Sequence, residues 1–348
     1  MAHSPADHTG RDPSRDTSSG SSADTVLVTG GAGYIGSHTV RALTGAGRRV
    51  VVLDSLELGR ADAVIDAELI IGDIADTDLV RRICTDHGVG SIVHFAAYKA
   101  VGESMIEPER YFTNNVHGSL RLIDAAVAAG VDQVVFSSSC SVYGTPETMP
   151  VDETAPISPE SVYAETKAQM ERILYWYGDI HGLRSVSLRY FNAAGASFDA
   201  RLGEDWTHAL NLVPVAMRAL LAGDPAELAV FGTDYPTPDG TCIRDYIHVE
   251  DLALAHLAAL DYLDAGGATT AVNVGTGVGS SVLEVLHAIE AVSGRAVPHR
   301  LAERRPGDPV TTYSDPTYSR AVLGWEARHG LTEIIETAYA WHLSTLGH

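Results

Sequence analysis

A tyrosine and a lysine within residues 158–181 have the types and the spacing needed to move a proton. Tyr163 and Lys167 stand four positions apart, and positions i and i+4 face the same side of a helix. Ser158 is a suitable N-cap, and Pro159 is tolerated in a first turn. The apolar residues that then recur at helical spacing are Met170, Ile173, Leu174 and Tyr177. This pattern predicts a helix with one buried face.

On such a helix the ammonium of Lys167 would lie near the phenol of Tyr163. A neighbouring positive charge favours the phenolate and lowers the pKa of the phenol, which is about 10 without assistance. The pair could then serve as an acid/base at neutral pH. The same spacing also fits a surface lysine beside a half-buried tyrosine. The residues around the pair are needed to distinguish the two interpretations.

Composition and charge limit the class of protein. The 348 residues allow one large domain or two fused lobes, and an apolar fraction of 45% is ordinary for a globular chain. A formal net charge of -21 argues against a nucleic-acid partner and against an anionic membrane surface. No apolar run reaches transmembrane length. An anionic ligand would therefore need local arginines or helix N-termini.

The cysteines, the histidines and the first residues point to a reduced, metal-free protein. Cys84, Cys140 and Cys242 are widely spaced and show no pairing pattern, which predicts a cytoplasmic location. The fifteen histidines form no H-E-x-x-H and no paired metal spacing, so we expect no metal. Residues 1–23 are polar and lack an apolar stretch, which predicts a disordered tail and not a signal peptide.

A glycine-rich turn follows the first strand pattern, TVLVTG. Gly30, Gly33 and Gly36 allow a tight turn, a close backbone approach to a pyrophosphate and a helix N-terminus facing it. Asp54 ends the next strand, RRVVVLD, where an acid accepts ribose hydroxyls and repels a 2′-phosphate. A glycine-rich connection without a ligand is the alternative, but the strand, helix and acid around it favour NAD.

The following segments continue to alternate between strand and helix patterns up to residue 192. This predicts an α/β fold with a Rossmann-like, doubly wound parallel sheet, in which ligands bind at the carboxyl ends of the strands. A longer helix is expected at about 108–129, with Asn114 and Asn115 in it. The residues expected at strand ends are Gly33, Asp54, Asp73, Ile74, Phe95, Ala96, Ala97, Ser139 and Asn192, with Asp73 and Ile74 near the adenine.

The pattern loosens after residue 192, which predicts a smaller C-terminal α/β substrate-binding lobe. We expect residues 24–192 to form the NAD-binding domain and residues 193–348 to form mainly the lobe, with a return segment at about 243–263. Arg244 and Arg305 lie in this half. Either could be a surface charge, but a diphosphate bound to so acidic a chain needs cations, and arginine suits phosphate.

Several strings in the chain are similar to those of a known family. TGGAGYIG, FSSSCSVYG, YAETK and RYFNAAGA resemble the extended short-chain dehydrogenase/reductase superfamily. Within it, HFAAYKAVGES, TNNVHGSLRL, FGTDYPTPDGTCIRDYIHVEDLA and RRPGD resemble the UDP-glucose 4-epimerases. The resemblance runs from Thr25 to the C-terminus. It implies interconversion of UDP-galactose and UDP-glucose through a transient 4-keto sugar, with NAD reduced and reoxidised in each cycle.

The resemblance also implies a role for individual residues. Tyr163 is the acid/base at the sugar 4-hydroxyl, Lys167 tunes it and holds the nicotinamide ribose, and Ser139 hydrogen-bonds the reacting oxygen. The positions that match the NAD shell are Gly30, Gly33, Tyr34, Ile35, Gly36, Asp54, Ser55, Asp73, Ile74, Phe95, Ala96, Ala97, Lys99, Asn114, Tyr163, Lys167 and Phe191. Those that match the UDP-sugar site are Lys99, Ser139, Tyr163, Asn192, Asn211, Leu212, Phe231, Arg244, Arg305 and Asp308.

Two departures from the family pattern bear on the expected chemistry. The family often has Ser-Pro-Tyr-Gly before the lysine, where this chain has Ser161, Val162, Tyr163 and Ala164. Neither change removes a functional group. Thr312 falls where some relatives carry a tyrosine, and the smaller side chain could leave room for an N-acetyl group. Some activity on UDP-N-acetylglucosamine is therefore expected.

Other functions fit the residues less well. A sugar-nucleotide 4,6-dehydratase needs an Asp-Glu pair after the catalytic hydroxyl residue, but Cys140 and Ser141 follow Ser139. A 4-epimerase of a UDP-uronate or a UDP-pentose stays open. A silent NAD-binding sensor would not need Ser139, Tyr163 and Lys167 together. No G-x-S-x-G points to a hydrolase. The resemblance implies a homodimer through the helices at 108–129 and 158–178.

Overall fold

Strands and helices alternate through the first half of the chain. The computed structural model describes residues 25–206, 209–223, 228–305 and 308–345, so the predicted tail at 1–23 lies outside the described residues. The strands here are β1 (Thr25–Thr29), β2 (Arg49–Asp54), β3 (Glu68–Ile71), β4 (Val89–His94), β5 (Gln133–Ser139) and β6 (Arg184–Tyr190). The helices are α1 (Tyr34–Gly45), α2 (Thr77–His87), α3 (Val101–Ser104), α4 (Pro108–Tyr111), α5 (Ser119–Ala128) and α6 (Val162–His181).

The second half has shorter strands. They are β7 (Asn192–Ala194), β8 (Ala229–Phe231), β9 (Ile243–His248), β10 (Thr270–Val274), β11 (Gly279–Ser281), β12 (Arg300–Ala302) and β13 (Thr311–Thr312). The helices are α7 (Leu212–Ala222), α8 (Val249–Asp264), α9 (Val282–Ser293), α10 (Thr317–Leu323) and α11 (Leu331–Thr345). Among the described residues, no helix is long and apolar enough to cross a membrane.

Seven strands form one parallel sheet in the order β10-β6-β5-β4-β1-β2-β3. The chain leaves β1 toward β2 and β3, and then crosses back to build β4, β5 and β6 on the other side. The predicted doubly wound sheet is therefore confirmed. The change of direction lies between β1 and β4, and such a switch point opens a crevice at the carboxyl ends of the strands.

The two faces of this sheet are buried under different helices. Val26 and Val28 of β1 pack with α1 and α8, whereas Leu27 between them packs with α2, α5 and α6. Adjacent side chains on a strand point to opposite faces, so a strand covered on both sides reads as a continuous apolar run. The run TVLV in β1 has this form, and all five residues of the strand are buried.

A smaller lobe covers the strand ends, as the loosened sequence pattern predicted. It holds a sheet of β11-β9-β13 with β7 paired to β9, a two-stranded pair of β8 and β12, and a core shared with α7, α9 and α11. The return to the large sheet runs through α8, which packs on α1, and β10, which pairs with β6. The return segment therefore extends to Val274, beyond the predicted range of 243–263. Strand β9, which lies within the predicted range, belongs to the smaller sheet.

The long helix predicted at 108–129 is present in three parts. A π-helical segment, Phe112–Gly118, joins α4 to α5. A π-helical turn shifts the residues that follow it around the helix axis, and such turns are common at functional sites. Here the segment carries Asn114 and Asn115 toward the site described below.

The helix that carries Tyr163 begins later than the sequence predicts. Ser161 is its N-cap, and the Ser161 hydroxyl accepts a hydrogen bond from the Ala164 backbone N–H at 3.2 Å. Ser158, the predicted cap, is exposed, and its backbone N–H donates to the Val142 carbonyl. The reason is that residues 158–160 fasten the loop after β5, where Glu160 accepts two hydrogen bonds from Thr145.

This difference gives a test of which serine caps α6. Replacing Ser161 by Ala leaves a backbone N–H of the first turn without its acceptor and should lower the free energy of unfolding by about 1 kcal/mol. Ser158→Ala should change it by less than about 0.5 kcal/mol, because that side chain is exposed and caps no helix. Urea titrations followed by circular dichroism would measure both, and an equal loss in the two variants would contradict the assignment.

Candidate functional site

The glycine turn lies at the carboxyl end of β1, in the middle of the crevice. Gly30 has φ +71°, and a Cβ there would lie 2.6 Å from the Ala96 backbone nitrogen in the loop after β4. A Cβ on Gly36 would lie 2.2 Å from the Gly30 carbonyl oxygen. The turn is therefore packed too closely for side chains at both positions. Gly33 is the N-cap of α1, so the backbone N–H groups of its first turn face the crevice. This arrangement suits a pyrophosphate.

Asp54 is held rigidly at the end of β2. One of its carboxylate oxygens accepts from the Ala32 N–H at 2.9 Å, and the other accepts from the Leu56 N–H at 2.8 Å. Each carboxylate oxygen can accept a second hydrogen bond. The carboxylate is therefore placed to receive two neighbouring ribose hydroxyls. Ser55 next to it is exposed, and its hydroxyl accepts from the Glu57 N–H at 3.4 Å.

The residues predicted for the adenine end lie at the edge formed by β3. Asp73 is exposed, and its carboxylate accepts from the Ala75 N–H at 2.8 Å. Ile74 is buried and faces Gly118 of the π-helical segment, where a Cβ would approach its side chain to 3.3 Å. Ile74 therefore closes the edge of the crevice, while Asp73 stays open to a ligand.

The neighbouring residues Asn114 and Asn115 have different roles, one open to a ligand and the other structural. The buried Asn115 accepts from the Tyr98 N–H at 2.9 Å and donates to the Tyr98 carbonyl at 3.0 Å and the Thr166 hydroxyl at 3.2 Å. It thereby ties the loop after β4 to α6. Asn114 is only partly buried and donates to the Asn115 side chain at 2.9 Å. Its carboxamide oxygen is the group that a ligand could use.

The proton-transfer candidates meet where β5 ends beside α6. The Ser139 hydroxyl lies beside the Tyr163 phenol and acts to lower its pKa. The Ser141 hydroxyl donates to the Ser139 hydroxyl at 2.9 Å. The Lys167 Nζ atom lies 5.8 Å from the centre of the Tyr163 ring and donates to the Ser137 carbonyl at 2.7 Å. The structure thus brings together the three residues named for catalysis.

The pKa shifts of this pair differ from the sequence expectation. Burial raises the pKa of Tyr163 above its ordinary value, although the neighbouring Ser139 hydroxyl opposes the shift. Burial lowers the pKa of Lys167 to about 7, because the ammonium loses its hydration. The expectation that Lys167 makes Tyr163 more acidic is therefore wrong for the protein's own groups. Burial is the largest cause of the shift, and Tyr163 is a neutral phenol at rest.

Sequence reasoning missed Glu171, which stands one turn after Lys167. Its carboxylate accepts from the Arg189 guanidinium at 2.6 and 3.0 Å and from the Ser138 hydroxyl at 2.5 Å. Arg189 also donates to the Tyr143 hydroxyl at 2.8 Å. The negative charge of Glu171 opposes the fall in the pKa of Lys167. The i, i+4 spacing from Lys167 was the signal that could have identified it.

The predicted phosphate ligands lie in the smaller lobe. Arg244 of β9 donates to the Asp308 carboxylate and to the Ile243 carbonyl. The guanidinium of Arg305 lies 3.8 Å from the centre of the Phe231 ring. The charge of Arg244 acts on the thiol of Cys140, the residue after Ser139. Arg244 is therefore close enough to the end of β5 to act on it electrostatically, and it could hold a diphosphate beside the proton-transfer residues.

Asp245 next to Arg244 is a second residue that the sequence did not identify. The buried carboxylate accepts from Thr276 at 2.6 Å, from Gly277 at 3.2 Å and from the Ser314 hydroxyl at 2.7 Å. It joins the turn after β10 to the segment after β13. The backbone that carries Arg244 is consequently fixed on both sides.

Glu204 connects two predicted residues that belong to different lobes. It is 6% exposed, and it accepts from the Lys99 ammonium at 2.9 Å and the Asn211 carboxamide at 3.0 Å. Lys99 follows β4, whereas Asn211 is the N-cap of α7. No sequence motif marks Glu204, and its partner Lys99 is 105 residues away in the chain. Leu212 beside Asn211 packs against the core of the smaller lobe.

The remaining predicted residues lie along the same edge. The Tyr34 hydroxyl donates to the Gly195 carbonyl at 2.7 Å and so joins α1 to the smaller lobe. Asn192 of β7 pairs with Tyr246 of β9. The others are Ile35 in α1, Phe95, Ala96 and Ala97 after β4, and the buried Phe191 after β6. The structure therefore gathers the residues predicted for the dinucleotide in the large domain and those predicted for the phosphates in the lobe.

The lowered pKa of Lys167 gives a test by the pH dependence of stability. The folded protein loses the Lys167 proton near pH 7 and the unfolded chain near 10.5, so unfolding between these values takes up a proton. Raising the pH from 7 to 9.5 should therefore stabilise the parent relative to Lys167→Met. Urea midpoints of both proteins at both pH values measure this. A difference between them that stays constant with pH would contradict the assignment.

Comparison with known proteins agrees with this arrangement. The sequence model of the NAD dependent epimerase/dehydratase family matches residues 26–275. The UDP-glucose 4-epimerase of Azospirillum brasilense is 49% identical over 92% of each chain. The Brucella ovis UDP-glucose 4-epimerase in complex with NAD is 44% identical, with a TM-score of 0.89 over 91% of this chain and 98% of that one.

A third relative was solved with two ligands. The UDP-glucose 4-epimerase from Bifidobacterium longum, in complex with NAD+ and UDP, is 36% identical and superimposes with a TM-score of 0.86 over 92% of this chain and 99% of that one. These matches extend over nearly the whole described chain, both lobes included. The chain belongs to the NAD dependent epimerase/dehydratase family and, within it, to the UDP-glucose 4-epimerases.

Proposed function

We propose that the protein interconverts UDP-galactose and UDP-glucose through a transient 4-keto sugar, with NAD as its resident cofactor. The observation that carries the proposal is the cluster of Ser139, Tyr163 and Lys167 between the glycine turn and the arginines of the smaller lobe. NAD and UDP are also named in the related structures described above. A protein that only sensed NAD would have no use for this cluster beside a phosphate subsite.

The residues at the glycine turn fit NAD in type and position. The N-terminus of α1 would take the pyrophosphate, and Asp54 would take the adenosine ribose hydroxyls. The Asp54 carboxylate would repel a 2′-phosphate, which favours NAD over NADP. When bound, NAD supplies reversible hydride transfer at C4 of the sugar. The protein's part is to orient the sugar and to move the proton of its 4-hydroxyl.

Tyr163 would take that proton, with Ser139 donating a hydrogen bond to the same sugar oxygen. The resting phenol is neutral, so Tyr163 must first release its own proton to solvent before it can take the sugar's proton as the phenolate. Positive charge nearby favours that ionisation, and Lys167 is the protein group placed to supply it. Glu171 helps Lys167 to keep its proton. When the 4-keto sugar has turned over, Tyr163 would return the proton to the oxygen.

The UDP would be anchored while the sugar stays loosely held. Arg244 and Arg305 would bind the diphosphate, and Phe231, Asn192 and Asn211 would line the remainder of its site. Asp308 holds the Arg244 guanidinium in place. A firmly held nucleotide lets the flat keto sugar rotate and present its other face without leaving the protein.

We also propose that the protein is a cytoplasmic homodimer. Tyr175 and Trp176 of α6 are 59% and 53% exposed, and Ile180 one turn further is exposed as well. Large apolar side chains that cluster on one helix favour a protein contact, here with the same helix of a second copy. Cys84, Cys140 and Cys242 are unpaired, which supports a reducing compartment.

A tyrosine substitution tests the proposed chemistry. Tyr163→Phe removes the hydroxyl that moves the proton and should reduce kcat by about 10²–10⁴-fold. Tyr177→Phe on the same helix is the matched control and should keep nearly full activity, because the Tyr177 hydroxyl makes only a 3.5 Å contact with Asp124. An NMR time course of UDP-galactose conversion measures both. Undiminished conversion by Tyr163→Phe would refute the mechanism.

A second substrate is favoured by the position of Thr312. It pairs with Arg244 across β13 and β9 and is buried, and its hydroxyl has no hydrogen-bond partner among the described residues. A threonine here takes up less volume beside Arg244 than a tyrosine would. We therefore propose that the protein also epimerises UDP-N-acetylglucosamine.

A larger side chain at this position tests the second substrate. Thr312→Tyr should lower kcat/KM for UDP-N-acetylglucosamine by about tenfold or more and change that for UDP-galactose much less, since only the bulkier sugar would collide with the ring. Thr311→Tyr, at the neighbouring and less buried position, is the control. Equal turnover of UDP-N-acetylglucosamine by Thr312→Tyr and the parent would exclude the idea.

A further inference from the structure

Three loops surround the carboxyl end of β1. β1 lies between β4 and β2 in the sheet, so the loop after β2 and the loop after β4 flank the glycine turn on opposite sides. The loop after β2 is joined to the turn by Asp54 and by a hydrogen bond from the Arg60 N–H to the Ala32 carbonyl at 2.9 Å. The loop after β4 touches the turn where Gly30 meets Ala96.

Side chains join the two flanking loops to each other. Glu57, in the loop after β2, accepts from the Tyr98 hydroxyl at 2.7 Å and from the Arg110 guanidinium at 2.8 Å. The Arg110 guanidinium also lies 4.0 Å from the centre of the Tyr98 ring. We call Glu57, Tyr98 and Arg110 the clasp. When these contacts are formed, the glycine turn, the loop after β2 and the loop after β4 make a closed ring at the carboxyl end of β1.

The two sides of the clasp are held unequally. Tyr98 is fixed through its backbone by Asn115, and Arg110 is held by a second ion pair with Glu103 at 2.7 Å. Glu57 stands in a loop whose preceding residue, Leu56, has φ +59°, and the Glu57 side chain is 51% exposed. Glu57 is thus the residue that would move if the contacts of the clasp broke and the ring opened.

We propose that the clasp slows the dissociation of the bound dinucleotide. The inference rests on the NAD subsite of the proposed function and adds three residues to it. A dinucleotide with its pyrophosphate on the N-terminus of α1 and its ribose on Asp54 lies inside the ring, so its departure requires the Glu57 contacts to break. Because the proposed cycle regenerates the cofactor in every turnover, slow release costs the protein no activity.

The release rate of labelled NAD tests the clasp directly. Purified protein is saturated with ³²P-labelled NAD, freed of excess by gel filtration and chased with unlabelled NAD, and the retained label is followed with time. Glu57→Ala removes both hydrogen bonds and should release label about tenfold faster than the parent. Tyr98→Phe, which removes one of them, should fall between the two. The assay needs no turnover, so it stays informative if epimerisation fails.

An exposed ion pair elsewhere provides the matched control. Glu326 accepts from Arg320 at 2.7 Å, with both side chains more than half exposed. Glu326→Ala should leave the release rate unchanged. Salt should speed release from the parent more than from Glu57→Ala, because it screens the Glu57–Arg110 pair. Equal release by Glu57→Ala and the parent, or equally fast release by Glu326→Ala, would overturn the proposal, as would a parent that binds no label.

Discussion

The hydrogen bond from the Lys167 ammonium to the Ser137 carbonyl is the contact on which the site depends. It fastens α6 to the end of β5 and so fixes the distance between Tyr163 and Ser139. The cost is the removal of an ammonium from water, which is expensive unless its partners compensate. Glu171 provides part of that compensation, and Glu171 is itself held by Arg189 from β6. The position of the Lys167 charge in α6 thus depends on contacts with both β5 and β6.

The smaller lobe is joined to this arrangement by a few polar contacts. Glu204 binds Lys99 from one lobe and Asn211 from the other, and the Tyr34 hydroxyl donates to the Gly195 carbonyl. Asp245 fixes the strand that carries Arg244. These contacts set where a bound diphosphate lies relative to the proton-transfer residues. Glu204 and Asp245 are buried, which favours a rigid frame. A rigid frame is what allows one part of a ligand to turn while another stays fixed.

Local patterns in the sequence were sufficient to predict the sheet and to name many of the residues that the structure gathers at the candidate site. The apolar runs, the glycine spacing and the acid at Asp54 all report on contacts between residues that are near in the chain. Ser161 as the true helix cap could not be predicted, because it depends on Glu160 binding Thr145. The direction of the Tyr163 pKa shift depends on burial. Glu57 contacts Tyr98 and Arg110, and Glu204 contacts Lys99, all across long distances in the sequence that spacing does not reveal.

The strand β10 has a consequence for how the chain can be divided. It comes from the second half of the sequence but pairs along its whole length with β6 of the large sheet. A chain ending at Asn192 would leave β6 paired with β5 but would expose the β6 edge that pairs with β10, and it would uncover the face that α8 protects. Such an open edge invites pairing with other chains. The dinucleotide-binding half is therefore not a separable unit. Its solubility depends on α8 and β10, which come after the first strands of the smaller lobe in the sequence.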